Sequence, residues 1–106
     1  DEMIQTQYSP RGSKQIEVET IENILSNNLT GNLPNKNFLD IDVEGAELAT
    51  LKGNNWSRFR FLYILIEQKE CTINTINESE IYNYLQNVGY TPVAFNGITT
   101  IYRQKY

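Results

Sequence analysis

A continuous apolar run at residues 61–66 constrains the fold of this chain more than any other feature. The run reads FLYILI, and the first charged residue after it is Glu67. A half-buried strand would alternate apolar and polar residues, whereas an unbroken aliphatic and aromatic run of this length is typical of a strand covered on both faces. Strands of that kind occur in parallel sheets with helices packed on each side, so the run predicts an α/β fold.

Helical patterns alternate with strand patterns along the chain. Thr20 has the position of a helix N-cap before residues 21–28, whose apolar side chains recur at helical spacing. Residues 38–43 read as the next strand, which Gly45 ends. Residues 46–52 then return to helical spacing and stop at a glycine. Each strand is therefore expected to be followed by a helix.

A third helix is predicted in the last third of the chain. Residues 77–80 read Asn-Glu-Ser-Glu, which has the spacing of a capping box with Asn77 as the cap. Ile81 and Leu85 then fall on one stripe, and Gly89 is expected to end the helix.

A hairpin completes the predicted order of elements. Residues 90–95 and 98–103 are strand patterns on either side of Asn96-Gly97, which is the strongest short hairpin signal. An alternating segment at 15–19 adds a strand before the first helix. The order predicts an α/β fold of parallel strands with crossover helices and a terminal β-hairpin.

Length and composition limit the architecture further. The 106 residues suffice for one small domain, whereas a doubly wound enzyme needs roughly twice as many. Residues 1–14 are polar and contain a turn signal around Pro10, so we expect a poorly ordered amino-terminal segment. Residues 15–106 are expected to form the domain.

Charge and residue usage exclude several classes of function. The net charge of −4, without a basic cluster, argues against nucleic acid as a partner. The chain has no histidine, which excludes Ser-His-Asp chemistry and histidine-ligated zinc. Cys71 is the only cysteine, so no internal disulfide can form, and no metal site is predicted. No apolar run approaches the roughly 20 residues that span a bilayer, and we expect a cytoplasmic location.

Acidic residues follow two of the predicted strands. Asp42 and Glu44 end the first, Gly45 turns the chain, and Glu67 ends the second. Ligands of open α/β sheets bind beyond the carboxyl ends of the strands, where carboxylates can accept a proton, hold a hydroxyl group or bind a hard cation. The alternative is structural: Asp42 would cap the following helix, and Glu44 would complement its positive end together with Glu47.

The segment around these acids resembles the signature of the FkbM family of methyltransferases. Residues 38–48 read FLDIDVEGAEL, and Leu-Lys-Gly follows at 51–53. The resemblance extends over about residues 15–103. It implies a class I, Rossmann-like methyltransferase that uses S-adenosylmethionine to methylate a hydroxyl group of a sugar or another metabolite. It also implies catalytic roles for Asp42 and Glu44 and substrate binding by Gly45 and Glu67.

Part of the family pattern is absent from this sequence. Members bind S-adenosylmethionine through a Gly-rich turn after their first strand and an acid at the end of their second, and neither is found here. By the resemblance, the strand at 38–43 is the fourth of seven, the run at 61–66 is the fifth, and the hairpin supplies the last two. We therefore expect the carboxyl-terminal half of such a domain, inactive as a fragment and able to self-associate through its exposed sheet edge.

Two other functions are compatible with the sequence. A non-enzymatic α/β binding or assembly module would account for the short length and the missing cofactor loop. A glycosyltransferase fragment would account for Asp40-Ile41-Asp42, which has the form of a metal-binding Asp-x-Asp motif. Since apolar residues alternate with these two acids, the same pattern also fits an ordinary strand.

Overall fold

A computed structural model describes the backbone of residues 2–9, 12–29, 33 and 36–105. The chain has mixed α/β architecture, with its elements in this order: β1 (Glu2–Ser9), β2 (Gly12–Glu19), α1 (Ile21–Asn28), β3 (Phe38–Ile41), α2 (Glu47–Lys52), β4 (Tyr63–Glu67), a 3₁₀ turn (Ile76–Glu78), α3 (Glu80–Asn87), β5 (Tyr90–Phe95) and β6 (Thr99–Gln104).

The main sheet has four strands in the order β3-β4-β6-β5. β3 and β4 are parallel and are joined through α2, as the alternation of strands and helices predicts. The terminal hairpin also forms as predicted, with β6 inserted antiparallel between β4 and β5. The parallel part of the sheet is therefore limited to one pair of strands among the described residues.

Two strands form a hairpin in the amino-terminal part of the chain. β1 pairs with β2 over their full lengths, from Glu2 opposite Glu19 to Ser9 opposite Gly12. Residues 1, 10 and 11 of the segment 1–14 lie outside the described residues, and the expected poor order of that segment stays a prediction. The short strand predicted at 15–19 thus belongs to a separate two-stranded sheet and not to the parallel sheet. Alternating β-formers in the sequence of β1, such as Ile4 and Thr6, were the signal for this hairpin.

The core lies on one face of the four-stranded sheet, beneath α2 and α3. Ile64 and Ile66 of β4 are fully buried, while Tyr63 and Leu65, on the other face, are only half-buried. The prediction of full coverage on both faces is therefore wrong for β4, because the second face is only partly covered. The buried apolar cluster comprises Ile41, Leu51, Trp56, Phe61, Ile64, Ile66, Ile81, Leu85, Tyr90 and Tyr102.

The helix ends confirm one predicted cap and correct another. Thr20 caps α1, and its hydroxyl accepts a hydrogen bond from the Asn23 amide at 3.1 Å. The cap of α3 is Ser79 and not Asn77, since the Ser79 hydroxyl accepts from the Tyr82 amide at 3.0 Å. The reason is that Asn77 is taken up by the 3₁₀ turn that precedes the helix.

A buried tyrosine joins the hairpin to the segment before β4. The Tyr90 hydroxyl donates to the Phe61 carbonyl oxygen at 2.7 Å and accepts from the Phe61 amide at 2.8 Å. The Arg60 guanidinium lies 4.9 Å from the centre of the Tyr90 ring. Because Phe61 precedes the first residue of β4, this pair of hydrogen bonds satisfies backbone groups that no strand partner reaches. Burial raises the pKa of Tyr90, which keeps the hydroxyl protonated.

Among the residues described, no helix has the length and apolar character needed to cross a membrane.

The paired hydrogen bonds of Tyr90 predict a large loss of stability in Tyr90→Phe. The substitution leaves the buried amide and carbonyl of Phe61 without a partner, which costs about 1–3 kcal/mol for each unsatisfied group. Urea unfolding followed by the fluorescence of Trp56, the single tryptophan, measures the effect. Tyr82→Phe is the matched control, because its hydroxyl bonds only to Gln86 one turn away, and we expect about 0.5 kcal/mol. Equal losses in the two variants would contradict the assignment.

Candidate functional site

The carboxyl ends of β3 and β4 bring the predicted acids together. Ile41 lies opposite Ile66 in the parallel register, so the residues that follow them, Asp42 and Glu67, are neighbours at the same edge. The two carboxyl groups lie close enough to form a hydrogen bond when one of them is protonated. Strand β3 ends at Ile41, two residues earlier than predicted, so Asp42 lies at the start of the connecting turn. The prediction that these acids share one rim is confirmed.

The pairing shifts the pKa values of both acids. The hydrogen bond to Glu67 and the charge of that carboxylate raise the pKa of Asp42. Hydrogen bonds from Lys69 and Asp42 lower the pKa of Glu67, and the Lys69 amine lies 2.8 Å from its Oε1 atom. Glu67 in turn raises the pKa of Lys69. A proton added to the pair therefore goes to Asp42, which donates to the Glu67 carboxylate.

The turn between β3 and α2 depends on Gly45. Its φ angle of +86° lies in the left-handed region that disfavours other residues. The Gly45 amide donates to Oε1 of Glu47 at 3.1 Å, and the Ala46 amide donates to the Val43 carbonyl at 2.9 Å. The N-cap of α2 is Ala46, which makes no side-chain capping bond. The alternative that Asp42 caps this helix is therefore wrong, since Asp42 faces Glu67.

An open cavity of about 660 Å³ lies at this edge of the sheet. Three segments line it: residues from 44–48 at the start of α2, from 67–70 after β4, and from 79–81 at the start of α3. Leu48 and Ile81 supply its apolar surface, and the charged lining side chains are five glutamates and one lysine. The cavity is large enough for a small metabolite.

The cavity includes three of the four predicted site residues. Glu44, Gly45 and Glu67 line it, whereas Asp42 is outside the lining and lies next to Glu67. Glu44 is exposed. The structure thus places the predicted residues at one site, and their catalytic and binding roles stay predictions.

Several lining residues were missed by the sequence reasoning. Glu47, Lys69, Glu70, Ser79 and Glu80 all border the cavity. Lys69 stands two residues after Glu67, which is a local signal that was available. The contribution of α3 had no such signal, because residues 79–81 reach the cavity only through the packing of that helix against α2.

A network of buried polar side chains lies next to the cavity and includes Ser79 of its lining. Gln68 is fully buried, donates to the Ser79 hydroxyl at 3.2 Å and accepts from the Tyr102 hydroxyl at 2.7 Å. Its backbone amide donates to the Ile98 carbonyl. Burial raises the pKa values of Tyr102 and Cys71, so both stay neutral. The network ties the end of β4 to the hairpin and to the start of α3, and it fixes two walls of the cavity relative to each other.

The described part of the chain contains no group of three or more acids or cysteines arranged to hold a metal ion. The nearest candidates, Asp42 and Glu67, lie next to each other, and Lys69 already neutralises Glu67.

Comparison with protein families identifies the class of the chain. The sequence pattern described as the methyltransferase FkbM domain matches residues 2–92, which is most of the chain. The chain therefore belongs to the FkbM family of methyltransferases. The matched range includes β1 and β2, and it begins before residue 15, where the resemblance seen in the sequence begins. Searches of curated proteins and of solved structures give no match to this chain.

The described residues do not fit S-adenosylmethionine as a whole. The glycines with positive φ in this part of the chain are Gly45, Gly89 and Gly97, and each stands alone at the end of an element. A Gly-rich turn that cradles the cofactor would require several such positions close together after one strand.

The Lys69–Glu67 ion pair predicts that removing the charge of Lys69 changes the titration of Glu67. In Lys69→Gln the pKa of Glu67 is expected to rise toward its ordinary value of 4.5, because its strongest hydrogen bond loses its charge. NMR titration of the side-chain carboxyl carbons measures the change. Lys52→Gln, at the exposed end of α2, is the charge-matched control and should leave Glu67 unchanged. An unaltered Glu67 titration in Lys69→Gln would contradict the ion pair.

The same shifts have opposite consequences for stability. Ionised Glu67 stabilises the fold above pH 4.5, and this contribution is lost as the pH falls through its lowered pKa. Protonated Asp42 stabilises the fold below pH 3.8, and this contribution is lost as the pH rises through its raised pKa.

Proposed function

We propose that this chain is the carboxyl-terminal, acceptor-binding part of an S-adenosylmethionine-dependent O-methyltransferase with a Rossmann-like fold. The observation that carries the proposal is the adjacent pair of Asp42 and Glu67 beside a cavity, in a chain of a methyltransferase family. The β3-α2-β4 unit, with its ligand cavity beyond the carboxyl ends of the strands, is the arrangement typical of such folds.

The sheet supports the view that further strands complete the domain. Within the described residues, β3 pairs on one side only, with β4, and its first residue Phe38 is 67% exposed. A free strand edge carrying an exposed aromatic side chain is a place where another strand pairs. We propose that the cofactor-binding half of the domain attaches at this edge and carries the Gly-rich turn, which would leave the present chain inactive alone.

The acceptor hydroxyl must lose its proton when its oxygen takes the methyl group. Glu67 lines the cavity and can accept a hydrogen bond from that hydroxyl. In this step the pair begins with both carboxyl groups ionised: Glu67 accepts the hydroxyl proton, and the proton passes to the neighbouring Asp42, which retains it because its pKa is raised. Asp42 is thus the final proton holder, and Glu67 is the group that meets the substrate.

The remaining site residues have supporting roles in this proposal. Glu44 lines the cavity and accepts a second hydrogen bond from the acceptor or acts as an alternative base. Gly45 holds the turn that directs Glu44 toward the cavity and leaves its own position without a side chain, so that the acceptor can approach the backbone. The acceptor would be a sugar or another metabolite hydroxyl, and a cytoplasmic location stays part of the proposal.

A non-enzymatic binding or assembly module is the second candidate. The free edge of β3 favours it, because two copies of the chain could pair their sheets there. Gel filtration over a range of concentrations separates the two functions. A compact module that binds no cofactor in any form of the protein would support this alternative, and methyl transfer by the longest encoded form would exclude it.

Cofactor binding tests the division of roles between the two halves. Isothermal titration of the 106-residue chain with S-adenosylmethionine is expected to show no micromolar binding, since most of the contacts are lacking. The longest form of the protein that its gene encodes is expected to bind. Micromolar binding to the 106-residue chain would contradict the assignment of the cofactor site to another segment, and no binding to the longest form would end the enzymatic proposal.

The proton-holding pair predicts a specific loss of activity in Asp42→Asn. In the longest encoded form, transfer of the methyl group to a panel of sugars and hydroxylated metabolites should slow by about 10²–10⁴-fold, the usual contribution of a general base. Cofactor affinity should change little. Asp40→Asn is the matched control, because Asp40 is an exposed acid of β3, two residues before Asp42 and outside the cavity lining. Equal activity of the two variants would exclude Asp42 as the proton holder.

A further inference from the structure

A fully buried glutamine separates the two oppositely charged residues at the end of β4. Gln68 is 0% exposed and is not part of the cavity lining, whereas Glu67 before it and Lys69 after it both line the cavity. Burial deprives an amide group of its hydrogen bonds to water, which is unfavourable unless the protein replaces them. An apolar side chain would fill this position without that cost, so packing alone does not account for Gln68.

Four hydrogen bonds hold Gln68 from several elements. Its side-chain oxygen accepts from the Tyr102 hydroxyl of β6 at 2.7 Å, and its side-chain nitrogen donates to the Ser79 hydroxyl at 3.2 Å. Its backbone amide donates to the Ile98 carbonyl at 2.6 Å, and its own carbonyl accepts from the Cys71 amide at 3.2 Å. The hairpin and the cap of α3 therefore fix both the backbone and the side chain of this residue.

The ion pair on either side of Gln68 is formed by side chains that are partly in solvent. The side chain of Lys69 is 64% exposed and that of Glu67 is 23% exposed, yet Nζ and Oε1 lie 2.8 Å apart. An exposed pair contributes little by itself, because two long side chains lose rotational freedom when they hold one geometry. That loss is smaller when the backbone that carries both side chains is already fixed.

We infer that Gln68 is a positioning residue of this site: held by Tyr102 and Ser79, it fixes the chain on either side so that the Glu67 carboxylate and the Lys69 ammonium meet at the cavity. Gln68 does not reach the cavity, so it acts through Glu67. The inference rests on the proposed function only for the role of Glu67 as the group that meets the acceptor. The position of Glu67 itself can be measured without the cofactor.

The titration of Glu67 reports its position, because the hydrogen bond from Lys69 is the largest cause of its lowered pKa. Tyr102→Phe keeps the ring and removes the hydroxyl that bonds to Gln68. NMR titration of the side-chain carboxyl carbons should then show the pKa of Glu67 raised toward 4.5, by less than in Lys69→Gln. Gln68→Met keeps the length of the side chain, removes both of its hydrogen bonds and should give a larger rise. If Gln68→Met does not fold, Tyr102→Phe carries the test.

Two controls separate positioning from a general loss of stability. Tyr90→Phe also removes a buried tyrosine hydroxyl, but that hydroxyl bonds to Phe61, before the opposite end of β4. It should therefore destabilise the fold and leave the titration of Glu67 unchanged. Ser79→Thr keeps a hydroxyl for Gln68 and for the cap of α3 and should titrate as the native chain does, whereas Ser79→Ala should raise the pKa of Glu67.

Three results would overturn the inference. They are an unchanged titration of Glu67 in Tyr102→Phe and Gln68→Met, an equal shift in Tyr90→Phe, and equal titrations of Ser79→Ala and Ser79→Thr. None of these results depends on cofactor binding or methyl transfer. Absence of methyl transfer in the longest encoded form would remove the proposed function and leave the titrations as they are, so the two failures are distinguishable.

Discussion

The parallel pairing of β3 with β4 is the interaction on which the rest of the structure depends. The register that sets Ile41 opposite Ile66 also sets Asp42 beside Glu67, so one ladder of backbone hydrogen bonds fixes both the core and the acidic edge. A shift of one residue would reverse the faces of a strand and would separate the two acids. The buried Ile64 and Ile66 prevent that shift, since both would lose their place in the core.

The acidic edge becomes a site because other elements surround it. The turn at Gly45 leads the chain from β3 into α2, Gln68 holds the chain after β4 against Ser79, and α3 closes the third side. Neither acid of the central pair is itself buried deeply. Their altered pKa values come from their contact with each other and with Lys69. Membership of the FkbM family places this arrangement in a methyltransferase domain.

Much of the fold could be predicted from the sequence, and the failures have physical reasons. The bounds of α1, the hairpin at Asn96-Gly97 and the acids at the rim follow from local capping, turn and strand signals. The cap of α3 was misassigned because Asn77 and Ser79 are both good caps, and only the 3₁₀ turn decides between them. The pairing of β2 with β1 was missed because the alternation in β1, at Ile4 and Thr6, is only weakly apolar and does not by itself reveal the partner strand.

The sequence by itself determined the family, the alternation of strands and helices, and the presence of acids at two strand ends. These properties are local, because a turn, a helix cap or a sequence motif is determined by a few consecutive residues. Only the tertiary structure decided that Glu67 and not Asp42 borders the cavity, and that Glu47 lies buried there with the Gly45 amide as a hydrogen-bond donor. Those facts depend on how α2 and α3 pack over the sheet, and side-chain exposure is fixed by residues that are distant in the chain.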